Sequence, residues 1–464
     1  MTDRSRGRWS GVATYVVLLA ALSACAGPQT DGRSQVYRPG VPDFDLDVVA
    51  VPGDSLGAIE TVVSIPRASL VFVRDSVGYR AVFQSSVSVS GASGHPPRTR
   101  LRVDTVRVDS YAATASFRPA VARERIPVPA GVYTARVEVE DIETGKTAVR
   151  ELRTAVPGPA DPPSVSALRL LGQRPGERGL QPLVALGVPS GLDSLQARFD
   201  VYGAPGDVVV RARVLRLRAD TSVAEPPNAF TPPGGSFAAR GLSTRRPDTV
   251  SVARQQIQVP DRLLTVEVPL PALDPGVYRI ELDASRAASR DPFGVARRDV
   301  VVRDGAFPRL TTISDLVAPL VYLATPQEWR QLREATGTAA QREAFDAFWG
   351  SLFRERRRAE ATLRAYFERV EEANRLFSTV KPGWSTDPGM VYVLFGPPER
   401  VEDRIDTQTW IYGPGQSAPG FVFERTAWRD RDSVPFDIWT LRRDAAYGAG
   451  WRRALRLWRA GDPP

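Results

Sequence analysis

Two stretches of this chain carry the same local grammar, and they restrict the fold more than anything else in it. Pro129-Ala130-Gly131-Val132-Tyr133 is followed by alternation in which Tyr133, Ala135, Val137 and Val139 share one parity and Thr134, Arg136 and Glu138 the other. Leu273-Asp274-Pro275-Gly276-Val277-Tyr278 opens a second run, with Tyr278, Ile280 and Leu282 against Arg279 and Glu281. A period of two places alternate side chains on opposite faces of a strand, so each run predicts an antiparallel strand with one face buried. In both, Gly supplies the turn and Tyr opens the strand.

The neighbouring sequence extends both units. Phe83, Val87 and Val89 alternate with Ser86, Ser88 and Ser90. Leu101 to Val108 also alternates, apolar on odd residues to Val103 and then shifted by Val106, which predicts a β-bulge. Ala197–Tyr202 and Val208–Leu217 precede the second Tyr unit. The Leu-x-Pro-Gly-x-Tyr segment resembles the tyrosine-corner region of fibronectin-III or immunoglobulin-like sandwiches. Two β-sandwiches are therefore expected, over 41–156 and 163–303, joined at Pro157-Gly158-Pro159. At 464 residues, with 40 Pro and 37 Gly, the chain has room for about three domains and many turns.

Beyond residue 304 the period changes. Thr325-Pro326-Gln327-Glu328 reads as a capping box with Pro in the first helical turn, starting a short helix that Gly337 ends. Thr338-Ala339-Ala340-Gln341 reads as a second cap. Phe345, Phe348, Trp349, Leu352 and Phe353, then Leu363, Tyr366, Phe367, Val370, Ala373 and Phe377, recur at three- and four-residue steps. They predict amphipathic helices with an aromatic inner face. Arg354-Glu355-Arg356-Arg357-Arg358 is polar all round and predicts a kink or break between them, or one long exposed helix.

Next comes Pro382-Gly383-Trp384-Ser385-Thr386-Asp387-Pro388-Gly389, six apolar residues from Met390 to Phe395, and Gly396-Pro397-Pro398. The polar-then-Pro-Gly spacing predicts a turn, and the apolar run a strand covered on both faces. With Thr409–Tyr412 and Phe421–Phe423 that strand would make a small antiparallel sheet under the helices. Gly383, Trp384, Thr386, Asp387 and Gly389, with Gly396 and Pro397 after the strand, resemble the signature of the GWxTD-domain family. Tyr366-Phe367-Glu368-Arg369-Val370 through Ala373-Asn374 and Phe377 match the helix that precedes the signature in that family. The resemblance covers roughly 320–425. It implies a bacterial secreted or lipid-anchored protein, of a family with no assigned activity. The whole is read as mainly β plus α+β, with the signature domain over 306–445 and a tail over 446–464.

The N-terminus reads as an address. Arg4, Arg6 and Arg8 precede a short apolar stretch, Val12 to Leu22, too short to span a bilayer. Leu22-Ser23-Ala24-Cys25 resembles a bacterial lipobox, which implies cleavage after residue 24 and acylation of Cys25, the one cysteine. Ala26, rather than Asp, after that Cys favours the outer membrane, with a periplasm-facing chain. Residues 25–40 read as a tether. A plain signal peptide with an incidental Cys25 is the alternative.

One Cys and one His exclude a Cys/His zinc site. His95 lies in a Gly-Ala-Ser-Gly-His-Pro-Pro loop, a poor setting for a catalytic base. No cofactor or metal is expected. The formal charge is +8, carried almost wholly by Arg, since Lys146 and Lys381 are the only lysines. Acids and bases interleave and no nucleic-acid motif appears, so nucleic acid is not expected as a partner. In the tail, Trp451, Leu455 and Trp458 share a helical face with Arg452, Arg453, Arg456 and Arg459 around the rest. That pattern fits either an anionic membrane surface or docking on the domain. Three functions remain. The first is a non-enzymatic, lipid-anchored envelope scaffold that recognises another envelope protein through the signature. The second is a glycan-acting hydrolase using Asp387 with Glu399, Glu402 or Asp403. The third is a glycan- or peptidoglycan-binding module using Trp410 and Tyr412.

Overall fold

The computed structural model describes residues 40–464 apart from 54–55, 92–95, 117, 159–160, 185–186, 220, 230–241, 405, 414–419 and 427–437. Cys25, the apolar leader, the tether up to residue 39 and His95 lie outside the described residues.

The first β-rich unit faces two sheets. One contains β1 (Asp45–Val51), β2 (Gly57–Pro66) and β6 (Pro119–Val128). The other contains β3 (Val73–Arg74), β4 (Tyr79–Gly91), β5 (Arg98–Val108), β7 (Gly131–Asp141) and β8 (Lys146–Val156), and a one-turn helix α1 (Tyr111–Thr114) follows β5. Phe83, Val87, Val89, Ala135, Val137 and Val139 fill the space between the sheets, as their alternation requires. The expected bulge is absent. β5 pairs residue for residue with β4 from Val108 opposite Tyr79 to Arg98 opposite Val89. Leu101 and Val103 instead lie on its outer face, 63% and 55% exposed, while Val106 and Val108 turn inward.

The second unit repeats the plan. β9 (Ser164–Val165), β10 (Arg169–Gln173), β11 (Gln181–Leu183), β13 (Ser194–Tyr202) and β16 (Leu263–Leu270) form one sheet. β12 (Val188–Pro189), β14 (Gly206–Ala219), β15 (Leu242–Val259), β17 (Gly276–Arg286) and β18 (Pro292–Arg303) form the other. Both Tyr units close as corners: the Tyr133 hydroxyl donates to Pro129 O and the Tyr278 hydroxyl to Asp274 O, each at 2.9 Å.

The third core belongs to the C-terminal region. α2 (Ile313–Val317) leads to α3 (Pro326–Glu334), where Thr325 and Glu328 form the expected capping box. α4 (Thr338–Leu352) starts from Gly337 at φ 85° without a side-chain cap, so Thr338 opens the helix rather than capping it. The polar stretch breaks the helix at Phe353 to Glu355, and α5 (Arg356–Phe377) follows.

The apolar run after the signature is a helix and not a strand. α6 spans Asp387–Phe395, with the Thr386 side chain accepting from Gly389 N, Pro388 in its first turn, and Gly396 at φ 78° ending it. It is apolar on every side because it is buried on every side: Met390 to Leu394 are at most 2% exposed. The sheet is completed without it, by β19 (Arg400–Asp403), β20 (Thr407–Ile411), β21 (Gly420–Thr426) and β22 (Ile438–Leu441), all antiparallel. α7 (Tyr447–Ala460) then returns across α6. Trp451 and Trp458 are 6% and 1% exposed and sit in the same core as Trp384 and Trp410. The tail is thus part of this domain, and its two indoles are unavailable to a membrane. Arg452 and Arg456 remain exposed.

Candidate functional site

Gly383, Trp384, Thr386, Asp387, Gly389 and Gly396 each have a structural task around the two ends of α6. Gly383 passes so close to α5 that a Cβ there would lie 1.9 Å from Ala373 O. Gly389 lies equally close to Gly383, whose carbonyl oxygen would be 1.8 Å from an added Cβ. The Trp384 ring packs edge-on to Tyr322, centroids 5.9 Å apart. Its amide donates to Asn374 Oδ1 at 3.3 Å, and its carbonyl accepts from the Tyr322 hydroxyl at 3.0 Å. Thr386 Oγ1 donates to Gly383 O at 2.7 Å and accepts from Gly389 N at 3.2 Å, so it ties the turn to the helix start.

Asp387 is the most committed group. Oδ2 accepts from Leu441 N at 2.7 Å, and Arg443 donates to both carboxylate oxygens, at 2.8 and 3.3 Å. The two side chains are 11% and 4% exposed. This two-point pair sits in the first turn of α6, where the helix dipole also favours a negative charge.

At the other end, Leu394 O is met by the Trp458 indole N–H at 2.9 Å and by Arg369 at 3.4 Å. Arg369 also lies 5.0 Å over the Trp458 ring, and burial is the main cause lowering its pKa. Gly396 gives its carbonyl to the Tyr412 hydroxyl at 2.9 Å, while Pro397 is exposed in the turn to β19.

A partner that the sequence did not announce covers the signature. The segment Ser222–Asn228, which follows β14 of the second sandwich, crosses it as a strap. Ala224 N donates to Ser385 O at 3.1 Å, Arg443 donates to Glu225 O at 3.1 Å, and Asp444 N to Pro227 O at 3.0 Å. Lys381 Nζ reaches Ser222 Oγ at 3.2 Å, and Val223 and Ala224 pack on the C-terminal core. Arg443 therefore bridges signature and strap. Its Ala-Glu-Pro-Pro-Asn sequence has turn character but no mark of its destination.

This geometry corrects the expected roles. Gly383, Trp384 and Ser385 are buried, so they are not a recognition surface. Asp387 stands at the start of α6, whereas Glu399, Glu402 and Asp403 lie beyond its end. Nine helical residues separate them by roughly 13 Å. Glu402 pairs with Arg400, and Asp403 accepts from Gln408. No acid/base set is assembled. Trp410 is fully buried, with its indole donating to Gln408 Oε1 at 2.7 Å, so Trp410 and Tyr412 form no open aromatic platform. Among the described residues no group of three or more His, Cys, Asp or Glu is placed to hold a metal ion, and no helix is long and apolar enough to cross a membrane.

Among the described residues the surface offers a groove of about 460 Å³ between the first sandwich and α5. Leu70, Phe72, Tyr79 and Tyr111 line one wall, Glu371 and Arg375 the other. The Tyr79 and Tyr111 rings are 6.0 Å apart, and Tyr111 is 74% exposed.

Fold and site together define a protein of two largely antiparallel β-sandwiches carrying an α+β domain whose signature is an internal joint. The chain carries a GWxTD domain: that family's model matches residues 284–460. The match begins in β17 and takes in β18 and α7. No curated protein matches the chain. Among solved structures, it is similar to red sea bream transglutaminase at 10% identity, covering 58% of this chain and 32% of that one, with a TM-score of 0.16. Salmonella alpha-2-macroglobulin reacted with methylamine gives 12% identity, 60% and 17% coverage, and a TM-score of 0.18. Bacteroides uniformis beta-glucuronidase gives 11%, 54% and 26%, and 0.20. The chain spans a third or less of each, and at TM-scores this low the likenesses carry no structural argument.

Proposed function

We propose that this chain is a lipid-anchored, non-enzymatic binding and scaffold protein of the cell envelope, held at the outer membrane through acylated Cys25 and facing the periplasm. The observation that carries the non-enzymatic reading is the state of the signature. Its one carboxylate, Asp387, is held by Arg443 and Leu441 N, and its hydroxyl, Thr386, caps α6. A group bonded in this way, next to a buried arginine, supports a joint rather than a general base. The joint fixes the C-terminal domain to the second sandwich. The groove between the first sandwich and α5, a concave and partly aromatic surface at a domain boundary, is the part we assign to recognition of an envelope protein.

The test has two parts. Labelling with a radioactive fatty acid should mark the wild type and not Cys25→Ala. Cross-linking pull-downs from detergent-solubilised envelopes should then compare wild type, Asp387→Asn and Tyr111→Arg, each checked for folding by circular dichroism. The expected result is a specific partner lost in Tyr111→Arg and kept in folded Asp387→Asn. The opposite pattern would return recognition to the signature, and an unlabelled wild type would remove the anchor.

A further inference from the structure

The buried indoles of α7 leave three arginines on its outer side. Arg452, Arg453 and Arg456 are exposed, and among the described residues none of them is ion-paired. The segment from Trp451 to Ala460 contains no acid. Trp451, Ala454 and Trp458 are buried on the other side, and the Trp458 bond to Leu394 O fixes the helix about its axis. Arg358 meets Asp462 at 2.8 Å, which brings the first turn of α5 against the end of α7. That turn adds Arg357, which is exposed, while Arg356 beside it is paired with Glu360 at 2.7 Å.

We propose that this arginine face is a docking surface for the anionic headgroups of a phospholipid bilayer, making electrostatic contact without inserting rings. The proposal rests on the membrane attachment argued above, which would keep headgroups at high effective concentration near the domain. A membrane fits better than nucleic acid for a physical reason. Single strands are held by stacking on exposed aromatic rings as well as by charge, and here both indoles of the helix are inside. What remains is fixed positive charge on a rigid helix, which suits a dense plane of phosphates. Each arginine near such a surface contributes about fivefold in binding, so three contribute about a hundredfold.

The experiment is vesicle flotation of the chain from residue 26 onward, which lacks the anchor but keeps every residue of the three cores. Failure here therefore says nothing against acylation of Cys25, which the labelling test decides separately. Phosphatidylcholine vesicles are used with and without phosphatidylglycerol, at low and high salt, with wild type and the triple variant Arg452→Gln, Arg453→Gln, Arg456→Gln. The expected result is flotation only with phosphatidylglycerol, lost at high salt and weakened about a hundredfold in the triple variant. Equal flotation by the variant, equal flotation on neutral vesicles, or none on anionic ones would overturn the proposal. So would displacement by inorganic phosphate at low concentration, which would mark a discrete phosphate site, or tighter binding to single-stranded DNA than to vesicles.

Discussion

Replacing Asp387 tests whether the signature is a joint. In Asp387→Ala, Arg443 keeps its position at 4% exposure but loses its counter-charge, and Leu441 N loses its acceptor. Breaking a buried ion pair from one side costs about 3–5 kcal/mol, most of it the penalty of an uncompensated charge. Asp387→Asn keeps an oxygen for Leu441 N and loses only the charge, so about 2–3 kcal/mol is expected. Because Arg443 also donates to Glu225 O, the strap should loosen along with the sheet end. Removing both partners, as Asp387→Leu with Arg443→Met, should recover at least about 2 kcal/mol of the loss, since the desolvation penalty disappears with the charges. Tryptophan fluorescence is a selective readout. Of the nine tryptophans, Trp9 lies outside the described residues and the other eight lie from Trp329 to Trp458. Urea unfolding followed at the indoles thus reports the C-terminal domain, while far-ultraviolet circular dichroism follows the sandwiches as well. A shift of under 1 kcal/mol in the fluorescence transition of Asp387→Ala would refute the reasoning, as would a double variant no better than the single one.

Three further outcomes follow from named contacts. Gly383→Ala sets a methyl 1.9 Å from backbone that cannot move without shifting α5, so it should cost more than about 3 kcal/mol in the same fluorescence assay, whereas Gly350→Ala, with open space around it, should be neutral or stabilising. The pair of Glu328 with Arg459, two bonds at 2.9 Å joining α3 to α7, holds the Glu328 carboxyl down at about 2 from 4.5. Its stabilisation is full above about pH 4.5 and is lost as pH falls through 2, so Arg459→Ala should cost roughly 1–2 kcal/mol at pH 7 and much less at pH 2 after allowance for solvent screening. Asp45 has the opposite sign: burial first, then Asp43 and Asp47, push it up from 3.8 to about 7 against Arg150 and Arg303. The folded chain therefore binds this proton more tightly, and stability from this group falls as pH rises from about 4 to 7. Since Asp45 is only half-buried, Asp45→Asn should raise stability at pH 8 by roughly half of the about 4 kcal/mol such a displacement carries, with no gain below pH 4, as thermal melts across that range would show.

Asp45 also shows why the domains are held as they are. Beside it on β1, Asp47 pairs with Arg298 of β18, and Arg303 at the end of that strand donates to Thr379 O beyond α5 at 2.8 Å. Glu60 on β2 meets Arg169 of β10 at 3.0 Å. These contacts between sandwiches are ionic and partly exposed, so each contributes modestly and weakens with salt. The strap reaches the C-terminal domain differently, through backbone hydrogen bonds with Ser385 and Asp444 and the Arg443 bond to Glu225 O, while Val223 and Ala224 pack on that domain's core.

What was legible in the sequence follows from how far each signal reaches. The Tyr corners, the strands at Tyr133–Val139 and Tyr278–Leu282 and the capping box at Thr325 depend on residues within a few positions of each other, and they formed as read. The Met390–Phe395 run did not, because a segment buried on all sides has no periodicity to distinguish helix from strand. The deciding information was at its ends: Thr386 and Pro388 start a helix and Gly396 stops one, although Pro388-Gly389 taken alone has turn character. Once that run becomes a helix, the rest of the signature changes meaning. As a strand it would have left Asp387 on a turn at the sheet edge, open to solvent and to substrate. As a helix it places Asp387 in the first turn beside Arg443, 56 residues away, and under a strap from 160 residues upstream. No local pattern encodes those two partners. A motif named for Trp and Asp thus acquires its role from residues outside it, and the search for binding belongs on surfaces that the motif only holds in place.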